Sequence, residues 1–207
     1  MAPALSSMLR KGTAESHRLA EGSQFVQTFL AGGLTKEAYA RFLVQLFHVY
    51  VALEAAQDQH RSHPVVTHVH SHELYRVPAL ERDLEFFFSN GDWRQSTLLP
   101  ATAAYVKRLT SLAHDWPEGL VAHHYTRYIG DLSGGQILKK AAAKLIGSAD
   151  GRGVEFYDFP GIPEPGKFKK AYREKLDSLP VDEKMGAKIV DEANLAFSLN
   201  RDIFDSL

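Results

Sequence analysis

Residues 125–136 read YTRYIGDLSGGQ. They lie inside a stretch that otherwise favours helix, with LVAHHYTRY leading in and ILKKAAAKLIG following. Gly130, Gly134 and Gly135 each cost about 1 kcal/mol relative to alanine in a helix interior, so together they weaken this helix by about 3 kcal/mol. Two things commonly offset such a cost: a bend, or the close approach of another backbone or a flat ligand. At about 100° per residue, Gly130, Gly134, Asp131, Arg127 and Gly135 fall within an arc of roughly 140°. That face is bare backbone flanked by one acid and one arginine. Spacing alone leaves tight helix packing and ligand approach both open.

Outward from this stretch, the apolar pattern keeps helical period. No segment alternates with period two and no internal repeat appears, which gives an all-α fold class of about seven helices. A length of 207 residues suits a single domain, 1–207, at 44% hydrophobic and 24% charged residues. The net charge of -1 argues against nucleic acid or an anionic membrane as partner. The absence of cysteine excludes disulfides, thiolate metal sites and cysteine nucleophiles. MAPALSSMLRKG has no apolar core of secretory type, and no window offers a membrane span. A soluble cytoplasmic monomer is the expectation.

Residues 4–20 read as one helix with a stripe of Leu5, Met8, Leu9, Gly12, Thr13, Ser16 and Leu19. His17 lies on it, with Glu21 four residues on and Arg10 two turns before. An i,i+4 carboxylate can accept from one ring nitrogen and leave the other free for a metal. Gly32-Gly33 breaks the chain, and Thr35 caps a strongly apolar helix in which His48, Tyr50 and Glu54 read as core positions with polar tips. His60, His63, His68, His70 and His72 resemble a metal tract, yet Pro64 and the run Val65-Val66-Thr67 read as a solvated irregular connection. Further helices span Glu73–Phe88, stopped by Ser89 to Asp92, and Thr97–His114. Pro117 opens the glycine-bearing helix. A Gly- and Pro-rich connection fills 147–166. A basic helix covers Lys167–Leu179, with Phe168, Ala171, Tyr172 and Leu176 inward. Pro180 starts a last helix to Phe204.

Several motifs fail. Gly161 to Lys167 mimics a phosphate loop, but Phe168 replaces the magnesium-binding hydroxyl and two prolines remove amide donors. His72-Glu73 meets Arg76 where a zinc helix needs its second histidine. No Glu-x-x-His occurs, against a ferritin-like di-iron bundle. Ser133 lacks the preceding glycine of a nucleophile elbow.

Taken together, several separated stretches resemble the haem oxygenase family over nearly the whole chain. HHYTRYIGDLSGGQILKK, residues 123–140, resembles its distal-helix signature, and LRKGTAESHRLAE, 9–21, its proximal helix. HVYVALE (48–54), KFKKAYREKL (167–176) and AFSLN (196–200) match as well. The resemblance implies haem sandwiched between a proximal and a glycine-rich distal helix, serving as substrate and cofactor. It places His17 as axial iron ligand and metal residue, and Gly130 and Gly134 against the porphyrin. Asp131 would hold ordered water that supplies a proton during oxygen activation. The products would be biliverdin, carbon monoxide and ferrous iron. Lys169 and Arg173 would hold the propionates, with Tyr125 adding a hydroxyl and Arg10 standing where relatives carry lysine. Electrons would come from an external reductase, an NADPH-dependent flavoprotein or a ferredoxin, docking near Lys139, Lys140 and Lys144. A non-catalytic haem carrier or sensor of the same fold is the alternative, and a helical interaction module without haem the third reading.

Overall fold

The computed structural model describes residues 4–88 and 90–207. Ser89, the first residue of the expected stop after the third helix, lies outside them. The first expected helix is in fact two, α1 (Leu5–Gly12) and α2 (Ala14–Glu21). Thr13 leaves helical geometry at φ -106°, and its hydroxyl donates to the Leu9 carbonyl at 2.8 Å. Backbone bonds from Thr13 N to Leu9 O and from His17 N to Thr13 O carry the ladder through, so the axis bends without parting. Leu5 and Leu9 are buried as expected, whereas Leu19 is exposed. A short helix that the apolar pattern did not reveal follows, α3 (Gln24–Leu30), with the Ser23 hydroxyl accepting from Val26 N.

Thr35 caps α4 (Lys36–Gln59), its hydroxyl accepting from Ala38 N at 3.1 Å. Residues on several faces of α4 are buried, among them Tyr39, Leu43, Leu46, Tyr50 and Leu53, as fits a central helix. The histidine-rich connection holds a single helical turn, α5 (Val66–Val69). The next helix, α6 (Val77–Phe87), starts later than Glu73 because Pro78 belongs in a first turn. Its orphan amides are satisfied from α4: Glu54 Oε1 accepts from Arg76 N at 2.5 Å and Val77 N at 3.1 Å. Burial nevertheless pushes the Glu54 carboxyl up to about 7. α7 (Pro100–Asp115) and α6 pack on α4.

The glycine stretch is not one helix. α8 (Leu120–His124) runs into π turns over Tyr125–Ile129, resumes briefly, and breaks at 132–134 before α9 (Gly135–Ile146). α10 (Pro165–Asp177) follows, with Ala171 exposed rather than inward. α11 (Glu183–Asp205) starts after Pro180, with the Asp182 carboxylate accepting from Met185 N at 2.7 Å. α11 packs against α1, α2, α7 and α8. At Gly12 the approach is so close that a Cβ would lie 2.4 Å from Val190 Cγ1. Among the described residues no helix is long and apolar enough to cross a membrane.

The connection before α10 is part of the core. Val154, Phe156, Tyr157, Phe159 and Ile162 are buried. Asp83 accepts from Glu155 N at 2.8 Å and Phe156 N at 2.7 Å. Arg76 donates to the carbonyls of Phe156 and Asp158 and stacks 3.8 Å from the Phe159 ring centroid. Those contacts satisfy backbone groups that a solvated loop would leave to water.

Candidate functional site

A cavity of about 570 Å³ opens among α2, α3, α4, α9, α11 and the bent run after α8. Its walls are largely apolar, with Phe42, Leu46, Phe197 and Phe204 among them. His17 enters from α2. Its Nδ1 lies 3.4 Å from Glu21 Oε2, the expected i,i+4 pair, which leaves Nε2 as the free donor atom. The Phe197 ring meets the imidazole edge-on at 5.6 Å between centroids and limits its rotation.

The three glycines divide into two roles. A Cβ at Gly130 would meet nothing within 4 Å, and one at Gly134 only the carbonyl of its own preceding turn. Both line the cavity. Gly135 also lines the cavity but backs onto Tyr157, whose Cδ1 would stand 3.4 Å from an added Cβ. Packing and ligand approach are therefore both present, at different glycines.

Asp131, also on the cavity wall, is held by a network that its own helix does not supply. The Tyr50 hydroxyl donates to Asp131 Oδ2. Arg127 Nε donates to the Tyr50 oxygen at 3.2 Å, and Arg127 Nη1 donates to Asn200 Oδ1. The guanidinium also lies 5.0 Å from the Tyr50 ring centroid. Burial pushes the Asp131 carboxyl above its usual range, with Arg127 and the Tyr50 hydrogen bond pulling against it. Burial drives the Tyr50 phenol far above its ordinary value, so it stays protonated and donates. Tyr50 and Asn200 were legible only as members of the stretches 48–54 and 196–200. Nothing in their local pattern marked them as partners of Asp131.

The cationic side is assembled from α1, α10 and the 132–134 turn. Burial raises the Tyr125 phenol, with Thr13, Arg173 and Arg10 partly offsetting it. Lys169 Nζ donates to Ser133 Oγ at 3.1 Å. Of the expected site residues, His17, Tyr125, Gly130, Asp131 and Gly134 line the cavity, while Arg10, Lys169 and Arg173 lie outside its wall. On α9, Lys139 is paired with Asp158, and Lys140 and Lys144 are exposed.

An apolar slot with one imidazole and a Cβ-free helix face suits a broad planar ligand carrying a metal. The cations at its edge suit anionic substituents on that ligand.

Comparisons with known proteins agree with this chemistry. The sequence model of the family described as "Heme oxygenase" matches residues 3–206. Heme oxygenase 1 of Nostoc sp. is 42% identical over 208 residues, covering 100% of this chain and 87% of its own. Heme oxygenase from Leptospira interrogans is similar in structure, with a TM-score of 0.96 at 41% identity over 99% of this chain and 100% of that one. Heme oxygenase-1 from Synechocystis sp., solved in complex with heme, has a TM-score of 0.94 at 43% identity, over 98% of this chain and 91% of its own.

Proposed function

The chain belongs to the haem oxygenase family, and from that premise we propose which of its residues hold haem and direct its cleavage. The protein is an enzyme that opens haem oxidatively, with dioxygen and reductant, to biliverdin, carbon monoxide and ferrous iron. The whole chain, 1–207, acts as one domain.

The observation that supports this assignment is one cavity shared by His17 and the bare faces of Gly130 and Gly134. His17 offers a neutral imidazole nitrogen to iron, with Glu21 fixing the other nitrogen. Gly130 and Gly134 admit the porphyrin against backbone, where any side chain would intrude. Lys169, Arg173, Arg10 and Tyr125 receive the propionates. The bound haem supplies dioxygen activation and is itself the molecule oxidised.

Asp131 does not ligate the iron. Fixed by Tyr50, it orients water and passes a proton into the cavity. A carboxyl whose pKa burial has raised holds its proton more tightly and re-accepts one more readily after passing it on, which suits a relay. Phe156 and Tyr157 line the same cavity, and the glycine face limits where the porphyrin can sit. That restriction determines which meso bridge is presented. An external reductase, a flavoprotein or a ferredoxin, supplies electrons and docks on the surface of Lys140 and Lys144, with Lys139 beside them.

Titration with haem, followed by reductant and dioxygen, tests the assignment. Loss of the Soret band with appearance of bilin is the expected result. Intact haem after a competent reduction would overturn it. Asp131→Ala is expected to bind haem normally and to yield little bilin; full bilin yield would remove Asp131 from the proton path.

A further inference from the structure

We propose that Asp58, His70 and His72 form a binding site for a borderline divalent cation of the zinc class, separate from the haem cavity. Two of the five histidines in the 60–72 tract thus belong to a built cluster. Of the other three, His60 Nε2 is 2.7 Å from the Ala113 carbonyl, His63 approaches Glu118 at 3.9 Å, and the buried Nδ1 of His68 has no hydrogen-bond partner among the described residues.

The three side chains can each offer one ligand atom, and these atoms all lie within 4.8 Å of one another. His70 Nε2 stands 3.3 Å from Asp58 Oδ1. Two ligands about 2.0–2.1 Å from a tetrahedral zinc are roughly 3.4 Å apart, so this pair is already at the required separation. The His70 and His72 rings meet edge-on at 4.7 Å between centroids, so the third ligand is in contact with the second.

The cluster is held by its surroundings. The His70 side chain is 13% exposed, unlike a mobile surface histidine. The Tyr75 hydroxyl donates to Asp58 Oδ1 at 2.7 Å and lies 3.1 Å from His70 Nε2. Asp58 sits in the last turn of α4, the negative end of a 24-residue helix, which favours a cation. Two imidazoles and one carboxylate suit zinc or ferrous iron better than magnesium or calcium. Asp58 is partly exposed, so water completes the coordination. The metal would tie the end of α4 to the segment leading into α6.

The test uses tag-free, haem-loaded protein, so that His17 is occupied. Calorimetric titration with zinc is expected to show one bound equivalent. His72→Ala and Asp58→Asn should each weaken binding at least tenfold, Tyr75→Phe about tenfold through its outer-shell bond, and His63→Ala not at all. Zinc-edge X-ray absorption should show two imidazoles with oxygen ligands. A retained Soret band in each variant shows that it still folds. Failure of wild type to bind zinc, equal binding by wild type and His72→Ala, or an equal loss in His63→Ala would each overturn the site.

Discussion

The hydroxyl of Tyr50, on the central helix, hydrogen-bonds to the carboxylate of Asp131, 81 residues further along the chain. Tyr50→Phe keeps the ring and removes this donor. It is expected to leave haem affinity within about twofold and to cost about 1–3 kcal/mol of stability through the groups left unpaired. Bilin formation should slow by about tenfold. Asp131 loses a bond that lowers its pKa, so the limb of the pH–rate profile that it controls should move to higher pH. Single-turnover kinetics across pH measure this, and an unmoved profile would separate Tyr50 from proton delivery.

Gly130 and Gly12 predict opposite responses to the same change. Gly130→Ala places a methyl in open cavity, so the haem-free protein should be as stable or gain up to about 1 kcal/mol of helix propensity. Its haem affinity should fall by about tenfold. Gly12→Ala drives a methyl into Val190 and should cost about 1–3 kcal/mol, with little effect on haem affinity of the folded fraction. Thermal unfolding without haem, paired with haem titration, distinguishes the two.

His124 predicts an acid-sensitive element of stability. Burial depresses it to about 3, and His70 and Lys175 add to the effect. An unfolded histidine titrates near about 6.5, so below that pH the unfolded chain takes up a proton that the folded one refuses. Its contribution is full above about pH 6.5 and is lost as pH falls towards 3. Glu54 works the other way: raised to about 7, it stabilises below about pH 4.3 and loses that contribution as pH rises through 7. His124→Phe should therefore gain on wild type as the medium is acidified. Denaturant unfolding of both proteins between pH 7 and 4 measures the difference, and a constant gap would contradict the assignment.

Charge reversal on α9 should affect electron delivery. Lys140→Glu with Lys144→Glu is expected to slow association with an acidic reductase by about three- to tenfold at low ionic strength, with the effect fading at high salt. Lys139→Glu acts first on its bond to Asp158 and should show less salt dependence. Stopped-flow reduction at two salt concentrations reads both, and haem affinity should not change.

The sequence carried the helical frame because helices leave their mark within a few residues. The Thr35 cap, the His17–Glu21 pair and the glycine face follow from spacing alone. The site's supports are different. Tyr50 and Asn200 reach Asp131 and Arg127 across at least 73 residues of chain, a distance that no periodic pattern encodes. The connection over 147–166 read only as a connection because glycine and proline mark turns and say nothing of what packs on them. Its burial depends on Arg76 and Asp83, one helix away in space and more than seventy residues away in sequence. The bend at Thr13 depends on a side chain competing for a carbonyl within an otherwise regular pattern.

The π turns at Tyr125–Ile129 have a consequence for the phase of the helix. Such a turn accommodates one residue more than an α-helical turn would. Wound instead as regular α-helix, the same residues would rotate everything beyond them by about 100° relative to His123 and His124. Gly130 and Asp131 would keep their identities and lose their aim, one turning from the cavity and the other from Tyr50. That single turn sets the phase between the anchored and the reactive halves of the helix. A helix wound without that turn would retain every side chain named above and still present the wrong surface to haem.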